Sequence, residues 1–255
     1  MNKRNTQQRR HLIVAQLQQQ GELSVEQLAE QFHTSEVTIR KDLTVLEQAG
    51  LLLRRYGGAV PVPQDFVSDS SLEKVSNRKL AIAKAAASLI KDHYRIIIDS
   101  GRTTAALLPE LATKRGLVVM TNSLAIANTL RELENEPTLL MTGGTWDPQS
   151  EAFQGQLAEQ MLRNYDFDQL FIGADGIDLA RGTTTYNELY SLSRVMAEVA
   201  REVIVMLESD KLGRKIHNLE LPWSMVKVLI TDEGLAAADA AQIEQQGVKV
   251  IRVQA

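Results

Sequence analysis

Four short runs carry side chains that could hold a ligand: Asp99-Ser-Gly-Arg-Thr-Thr104, Thr121-Asn122, Gly143-Gly144 and Gly173-Ala-Asp-Gly176. In the first, Gly101 lets backbone N–H groups turn inward. The hydroxyls of Ser100, Thr103 and Thr104 can donate, and Arg102 adds a charged fork. At the start of a helix that set makes an anion site, although a well-capped helix start uses the same residues. The other runs are small or polar, as ordinary turns also are. Convergence of all four on one edge favours a ligand with a phosphate and hydroxyls, such as a phosphorylated sugar or polyol. Asn187-Glu188 and Glu208-Ser-Asp-Lys211 supply further groups for hydroxyls and for a second charge. The candidate ligand-binding set is Asp99, Ser100, Gly101, Arg102, Thr103, Thr104, Thr121, Asn122, Gly143, Gly144, Asp175, Gly176, Glu188 and Lys211.

Other chemistry has little support. The chain has no phosphate-cradling G-x-x-x-x-G-K-[ST], no G-x-G-x-x-G and no H-E-x-x-H. His11, His33, His93 and His217 lie far apart, never at metal-ligand spacing, and there is no cysteine to supply a thiolate. No catalytic residue, metal or cofactor is expected. Trp146 and Trp223 are isolated aromatics, for which packing is the default.

The ligand runs need strand ends to stand on. Buried strands are expected at Arg95–Asp99, Leu117–Thr121, Thr138–Met141, Gln169–Gly173, Val203–Leu207, Lys227–Thr231 and Val248–Val253. Helices are expected over Lys74–Ile90 (with Leu80, Ala83, Ala87 and Ile90 inward), from Thr104 to Leu111, and over Ser123–Leu133, Gln156–Asn164, Leu189–Ala200 and Ala236–Gln246. This alternation implies an α/β domain, a mostly parallel sheet with helices on both faces. Ligands of such sheets bind at the carboxyl ends of strands.

A second constellation lies upstream. Ser35 can cap a helix in which Ile39, Leu43 and Leu46 form one apolar stripe. Val37, Lys41 and Thr44 then lie opposite, flanked by Thr38 and Arg40. A helix reading a DNA major groove needs that division, and an ordinary surface helix also has it. Gln7–Gln20 reads as a preceding helix closed by Gly21. A second starts at Ser24, with Ser24 and Gln27 at capping-box spacing and Val25, Leu28, Ala29 and Phe32 apolar. Together these make a helix-turn-helix. Leu51 to Val60 reads as a hairpin wing with Arg54, Arg55 and Tyr56 beside the phosphates. The candidate DNA-binding set is Ser35, Glu36, Val37, Thr38, Arg40, Lys41, Arg54, Arg55 and Tyr56.

Charge distribution fits one DNA-facing end. Residues 1–60 hold eight Lys/Arg and six Asp/Glu, a balance of +2; the whole chain has 28 and 32, which leaves 20 minus 26, or −6, for the rest. The cations Lys3, Arg4, Arg9, Arg10, Arg40, Lys41, Arg54 and Arg55 edge an otherwise acidic molecule. No apolar run approaches the ~20 residues that span a bilayer, and the first residues lack a signal-peptide core. A cytoplasmic protein without membrane contact is expected. The expected organisation is a winged helix-turn-helix over 1–60, a linker over 61–73 and a ligand-sensing domain over 74–255.

Ser35, Thr38, Arg40, Asp42, Leu43, Leu46 and the Gly57-Gly58 wing resemble the N-terminal signature of the DeoR/GlpR family of bacterial transcriptional repressors. The resemblance continues through Asp99-Ser-Gly-Arg-Thr103, Thr121-Asn122, Gly143-Gly144, Gly173-Ala-Asp-Gly-Ile177 and Glu208-Ser-Asp-Lys-Leu-Gly213. The departures are Arg102 in place of Ser or Thr, Glu208 and Asp210 in place of Asp and Ser, and Leu212 in place of Phe. The resemblance implies an operator-binding homo-oligomer, dimer or tetramer, released from DNA by a phosphorylated sugar or polyol. It also implies a sensor fold like ribose-phosphate isomerase. Thr38–Leu43, Met120–Leu124, Gly155–Glu159, Asp175–Leu179 and Ala200–Ile204 are most similar to the glucitol (sorbitol) operon branch, with the N-acetylgalactosamine branch second. A sugar-phosphate isomerase is the alternative, since Gly173–Asp178 is similar to that enzyme's acidic motif. The enzyme has another acid where this chain has Ile172, and a lysine where it has Gly182-Thr-Thr-Thr185.

Overall fold

The computed structural model describes residues 3–48, 51–55, 57–61, 75–187, 190–214 and 216–255. Tyr56, Glu188 and the linker stretch 62–74 lie outside the described residues. The chain divides into two compact units, Met1–Leu72 and Glu73–Ala255.

The small unit contains α1 (Lys3–Gln20), β1 (Leu23–Ser24), α2 (Val25–Gln31), α3 (Glu36–Gln48), β2 (Leu53–Arg55) and β3 (Gly58–Val60). The capping box at Ser24 forms: the Gln27 N–H donates to Ser24 Oγ at 3.1 Å, and the Ser24 N–H donates to Gln27 Oε1 at 3.2 Å. Ile13, Leu17, Leu28, Ile39, Leu43 and Leu52 bury one core between the three helices and the wing. The wing has a third strand that the alternation of residues does not announce. β1 pairs antiparallel with β3, placing Leu23 opposite Ala59. A side chain at Gly58 would strike the Leu23 carbonyl, so that docking needs glycine there.

The large unit has α4 (Asn77–Ala87), β4 (Arg95–Ile98), α5 (Arg102–Ala105), β5 (Val118–Thr121), α6 (Leu124–Arg131) and β6 (Thr138–Met141). A hairpin follows, β7 (Thr145–Asp147) and β8 (Ala152–Gln154). Then come α7 (Gln156–Leu162), β9 (Phe167–Ile172), β10 (Gly176–Asp178), β11 (Gly182–Thr185), α8 (Ser191–Glu198), β12 (Ala200–Met206) and β13 (Asn218–Pro222). The last elements are β14 (Val228–Asp232), α9 (Ala237–Glu244) and β15 (Lys249–Val253). Seven strands form one parallel sheet in the order β15-β14-β12-β9-β4-β5-β6. Alternate residues of β4 face opposite cores. Ile96 and Ile98 pack with Ile82, Ala83 and Ile126 on one side, and Ile97 packs with Leu162, Leu192 and Val195 on the other. The parallel sheet covered on both faces is thus as expected.

Five features depart from expectation. The helix after Thr104 is broken, because α5 ends at Ala105 and a 3-10 turn holding Pro109 follows. β10, β11 and β13 form a separate antiparallel sheet, and the hairpin β7–β8 is an insertion after β6. Leu80 points outward and is 47% exposed, while Ile82, one position off the expected stripe, is fully buried. Helix α4 starts later than expected, at Asn77, capped by Ser76. Ile82→Ala should therefore cost about 2–5 kcal/mol in urea unfolding of the full chain, whereas Leu80→Ala should stay within about 0.5 kcal/mol.

Candidate functional site

In the small unit, the Thr38 N–H donates to Ser35 Oγ at 3.3 Å, so Ser35 opens α3 as a cap. Ile39 and Leu43 are buried, and Glu36, Val37, Arg40, Lys41 and Val45 are exposed. Val37 is 59% exposed. The division expected for α3 is present, and Val45 extends its outer face by one turn.

The cations are arranged differently from the sequence reading. Arg9 and Arg10 do not edge the head as free charges. Both grip Asp42, Arg9 through Nη2 at 2.6 Å and Arg10 through Nε at 2.7 Å, and the Asp42 side chain is 3% exposed. They bind α1 to the back of α3, a buried charge pair closed by a second arginine. Arg40 pairs with Glu36 at 2.6 Å one turn back. Arg54 donates to Thr44 Oγ1 at 2.9 Å and its N–H to Glu47 Oε1 at 3.0 Å, and Arg55 pairs with Glu22. Among the described residues of α3 and the wing, Lys41 is the cation with no ion pair.

In the large unit the strand order reverses between β4 and β9, since β5 and β6 lie to one side and β12, β14 and β15 to the other. At such a reversal the loops diverge and open a crevice at the carboxyl edge. The Asp99 N–H donates to Phe171 O at 3.0 Å. Asn122 Nδ2 donates to Asp99 Oδ1 at 2.7 Å, and Asn122 Oδ1 accepts the Ser100 N–H at 2.9 Å. Asp175, just past β9, accepts from Thr185 Oγ1 at 2.9 Å and from the Tyr186 N–H at 3.0 Å. Buried Lys211 reaches Ala174 O at 2.7 Å, and Arg214 reaches Asp175 O at 3.2 Å. The crevice thus gathers Asp99, Ser100, Asn122, Asp175 and Lys211.

Other members of the expected set have structural duties. The Thr104 hydroxyl donates back to the Asp99 and Gly101 carbonyls and is fully buried, so it is not a free donor. Helix α5 has only four residues, which removes the helix end from the anion-site argument. Gly101 and Arg102 remain exposed at that turn, and Thr103 is buried. Thr121 Oγ1 accepts the Ser123 N–H at 3.1 Å. Gly144 lies so close to the Gln154 carbonyl that a side chain would collide with it, while Gly143 faces open space. Gly176 pairs with Thr184 in the small sheet. Glu208 turns toward α4, accepting from Ser76 Oγ at 2.8 Å and pairing with Lys79.

One residue was missed. Glu220, on β13, is buried and accepts from Ser193 Oγ at 2.8 Å and Thr183 Oγ1 at 3.4 Å. Thr183 and Thr185, two residues apart on β11, each donate to one of two carboxyls, Thr183 to Glu220 and Thr185 to Asp175. The available signal was an acid between two leucines in Leu219-Glu-Leu221. Burial pushes the Glu220 carboxyl up to about 8, and the negative charge of Asp175 adds to it. Burial also pushes Asp99 up to about 6, against the opposing hydrogen bonds from Asn122 and the Ser100 N–H. Carboxyls crowded at one edge accept hydroxyl donors well, and those that carry charge repel a phosphate placed among them.

A carboxyl whose pKa is higher in the fold than in the unfolded chain keeps its proton longer when folded. Stability then falls as pH rises from the ordinary value, 4.5 for Glu220, through the folded value of about 8. The melting temperature should decline between pH 5 and pH 8.5 (about the window of these two groups), and Glu220→Gln should flatten that decline. Identical profiles for the two proteins would remove the cluster.

Two family models match the chain: a DeoR-like helix-turn-helix domain over residues 9–64 and a DeoR C terminal sensor domain over residues 74–233. The chain is 40% identical to an aga operon transcriptional repressor, so named, of Escherichia coli O157:H7, across 97% of this chain and 94% of that protein. It is 34% identical to the transcriptional repressor AccR of Agrobacterium fabrum, across 90% and 91%. Among solved structures, ribose 5-phosphate isomerase A of Methanocaldococcus jannaschii is similar over 54% of each chain, with 21% identity and a TM-score of 0.39.

Proposed function

The chain belongs to the DeoR family of transcriptional repressors, and on that premise we propose that α3 reads an operator and that the crevice at the β4–β9 reversal binds the signal that releases it. The observation that supports the reading is the meeting of Asp99, Asn122 and Asp175 at that reversal, polar groups from three strand ends. The proposed effector is a phosphorylated sugar or polyol. Its hydroxyls bind the carboxyl cluster, and its phosphate binds at the Ser100–Arg102 turn, on the outer side where the cluster repels it least. Effector and operator favour different states of the protein, so effector binding draws the population from DNA.

On the DNA side, Lys41 contacts directly, while Arg40, Arg54 and Arg55 exchange their carboxylate partners for phosphates or bases. Glu36, Val37, Lys41 and Val45 line the face that sets operator choice, with Ser35 and Thr38 at its leading end. Binding should be measured by anisotropy on an operator selected from a random duplex library. Lys41→Ala and Arg40→Ala should each weaken it by ~1–3 kcal/mol, and wild-type affinity should fall steeply with salt. Salt-independent binding would refute the head's role.

The effector is tested by thermal shift. A phosphorylated ligand at ~100 times its dissociation constant should stabilise the full chain by ~2.7 kcal/mol, and Asp175→Asn should abolish the shift. Equal shifts from unphosphorylated sugars would remove the phosphate from the proposal. The panel holds glucitol phosphate and N-acetylgalactosamine phosphate, one for each operon type. The relative reported above carries an aga operon name, so the glucitol preference is one arm of the test only.

A second reading has a specific observation behind it. Glu220 and Asp175 form a pair of unlike carboxyls, one holding its proton near neutral pH and one hydrogen-bonded as an acceptor, which is what proton transfer on a sugar uses. Turnover of a pentose or hexose phosphate in a coupled assay, lost in Glu220→Gln, would establish an isomerase-like enzyme. The relatives' names as transcriptional repressors favour binding without turnover.

A further inference from the structure

We infer that Val37 reads the 5-methyl group of a thymine in the major groove, an inference that rests on the proposal that α3 enters that groove. The large aliphatic side chains of α3 divide into two sets. Ile39, Leu43 and Leu46 are buried in the core of the small unit, whereas Val37 and Val45 lie outside it, 59% and 40% exposed. Val37 is the second residue of the helix, and the N-terminal residues of a recognition helix are those that meet base edges. Its polar neighbours in the first turn are already engaged. Ser35 Oγ and Thr38 Oγ1 share a hydrogen bond of 2.9 Å, and Arg40 holds Glu36 at 2.6 Å. Each of them must give up a partner to reach a base, and Val37 has none to give up.

The chemistry of the side chain names the group it meets. Valine presents methyl groups and neither donates nor accepts a hydrogen bond, so it can hold no phosphate and read no polar base edge. Among the features that the four base pairs show in the major groove, the thymine methyl is the one it complements. A cytosine at the same position lacks the methyl and sets an amino group against Val37 instead. The setting fits a nucleic acid: Arg40 and Lys41 are exposed on the same outer surface, and Glu36, the acid of that turn, is neutralised by Arg40. Val37, Lys41 and Val45 recur every fourth residue and so lie along one ridge of the helix. Each step along the ridge advances about 6 Å, close to two base-pair steps of ~3.4 Å for a helix lying along the groove. The thymine under Val37 therefore stands about two base pairs from the contact of Lys41, where a guanine would present O6 and N7 to the cation.

The test is anisotropy on the full chain with a duplex selected from a random library. Each thymine of the selected site is replaced in turn by deoxyuridine, which removes the methyl and keeps the pairing edge. One replacement should weaken wild-type binding about fourfold, as loss of one buried methyl does. In Val37→Ala and Val37→Ser the same replacement should have no effect, because the contact is already gone. Lys41→Ala and Val45→Ala should keep the full response at that thymine. A scan with no sensitive thymine, or a sensitive thymine that responds equally in wild type and in the folded Val37 variants, would overturn the assignment. The scan itself uses the unaltered protein, so a misfolded variant does not protect the proposal. Binding that falls with salt and weakens in Lys41→Ala, yet ignores every methyl, counts against Val37 alone. Binding that does neither, or failure to select any duplex, counts against the operator reading and this inference together.

Discussion

The large unit is governed by a single constraint of direction. All seven strands of its main sheet run parallel, so all their carboxyl ends meet at one edge. Both faces are sealed by helices, and Ile96, Ile97 and Ile98 leave no interior place for a polar group on β4. Water-seeking side chains that must converge can do so only beyond the strand ends. The reversal between β4 and β9 then decides where, because there the two following loops turn to opposite faces. Asp99, Asn122 and Asp175 gather at that gap, and the small antiparallel sheet closes over it with Thr183, Thr185 and Glu220.

Electrostatics in the two units pull in different directions. In the head, cations are held by internal carboxylates: Arg40 by Glu36, Arg54 by Glu47 and Arg55 by Glu22. On the proposed DNA contacts, reaching a phosphate is an exchange of partners, which lowers non-specific attraction and leaves more of the net affinity to shape and sequence. At the crevice, like charges are crowded, and burial leaves Glu220 protonated near neutral pH. The proposed ligand, rich in hydroxyls, would relieve that crowding by donating to it.

Local signals were legible where the chemistry is local. The capping box at Ser24, the cap at Ser35, the α3 stripe and the core strands follow from neighbours within a turn or two. What the sequence did not reveal depends on distant partners. Arg9 and Arg10 read as basic edges until Asp42, 32 and 33 positions away, is placed between them. Glu220 joins the crevice only through β13 pairing with β11, a ladder joining residues more than 30 apart in sequence. Thr104 looked like a donor because nothing in the sequence shows a hydroxyl turning back to its own loop. Leu80 and Ile82 differ by two residues on a helix rich in alanine, where the apolar stripe is too wide to fix its own phase.

The grip of Arg9 and Arg10 on Asp42 has a consequence for how such a head can change over generations. The orientation of α3 is set largely from behind, by a buried carboxylate and the apolar stripe, with Thr44 and Glu47 tying it to the wing. Val37, Lys41 and Val45 can then be replaced freely without loosening the helix. If that face reads the operator, as proposed, recognition is separated from folding, and the same scaffold can drift from one operator to another through intermediates that all remain folded.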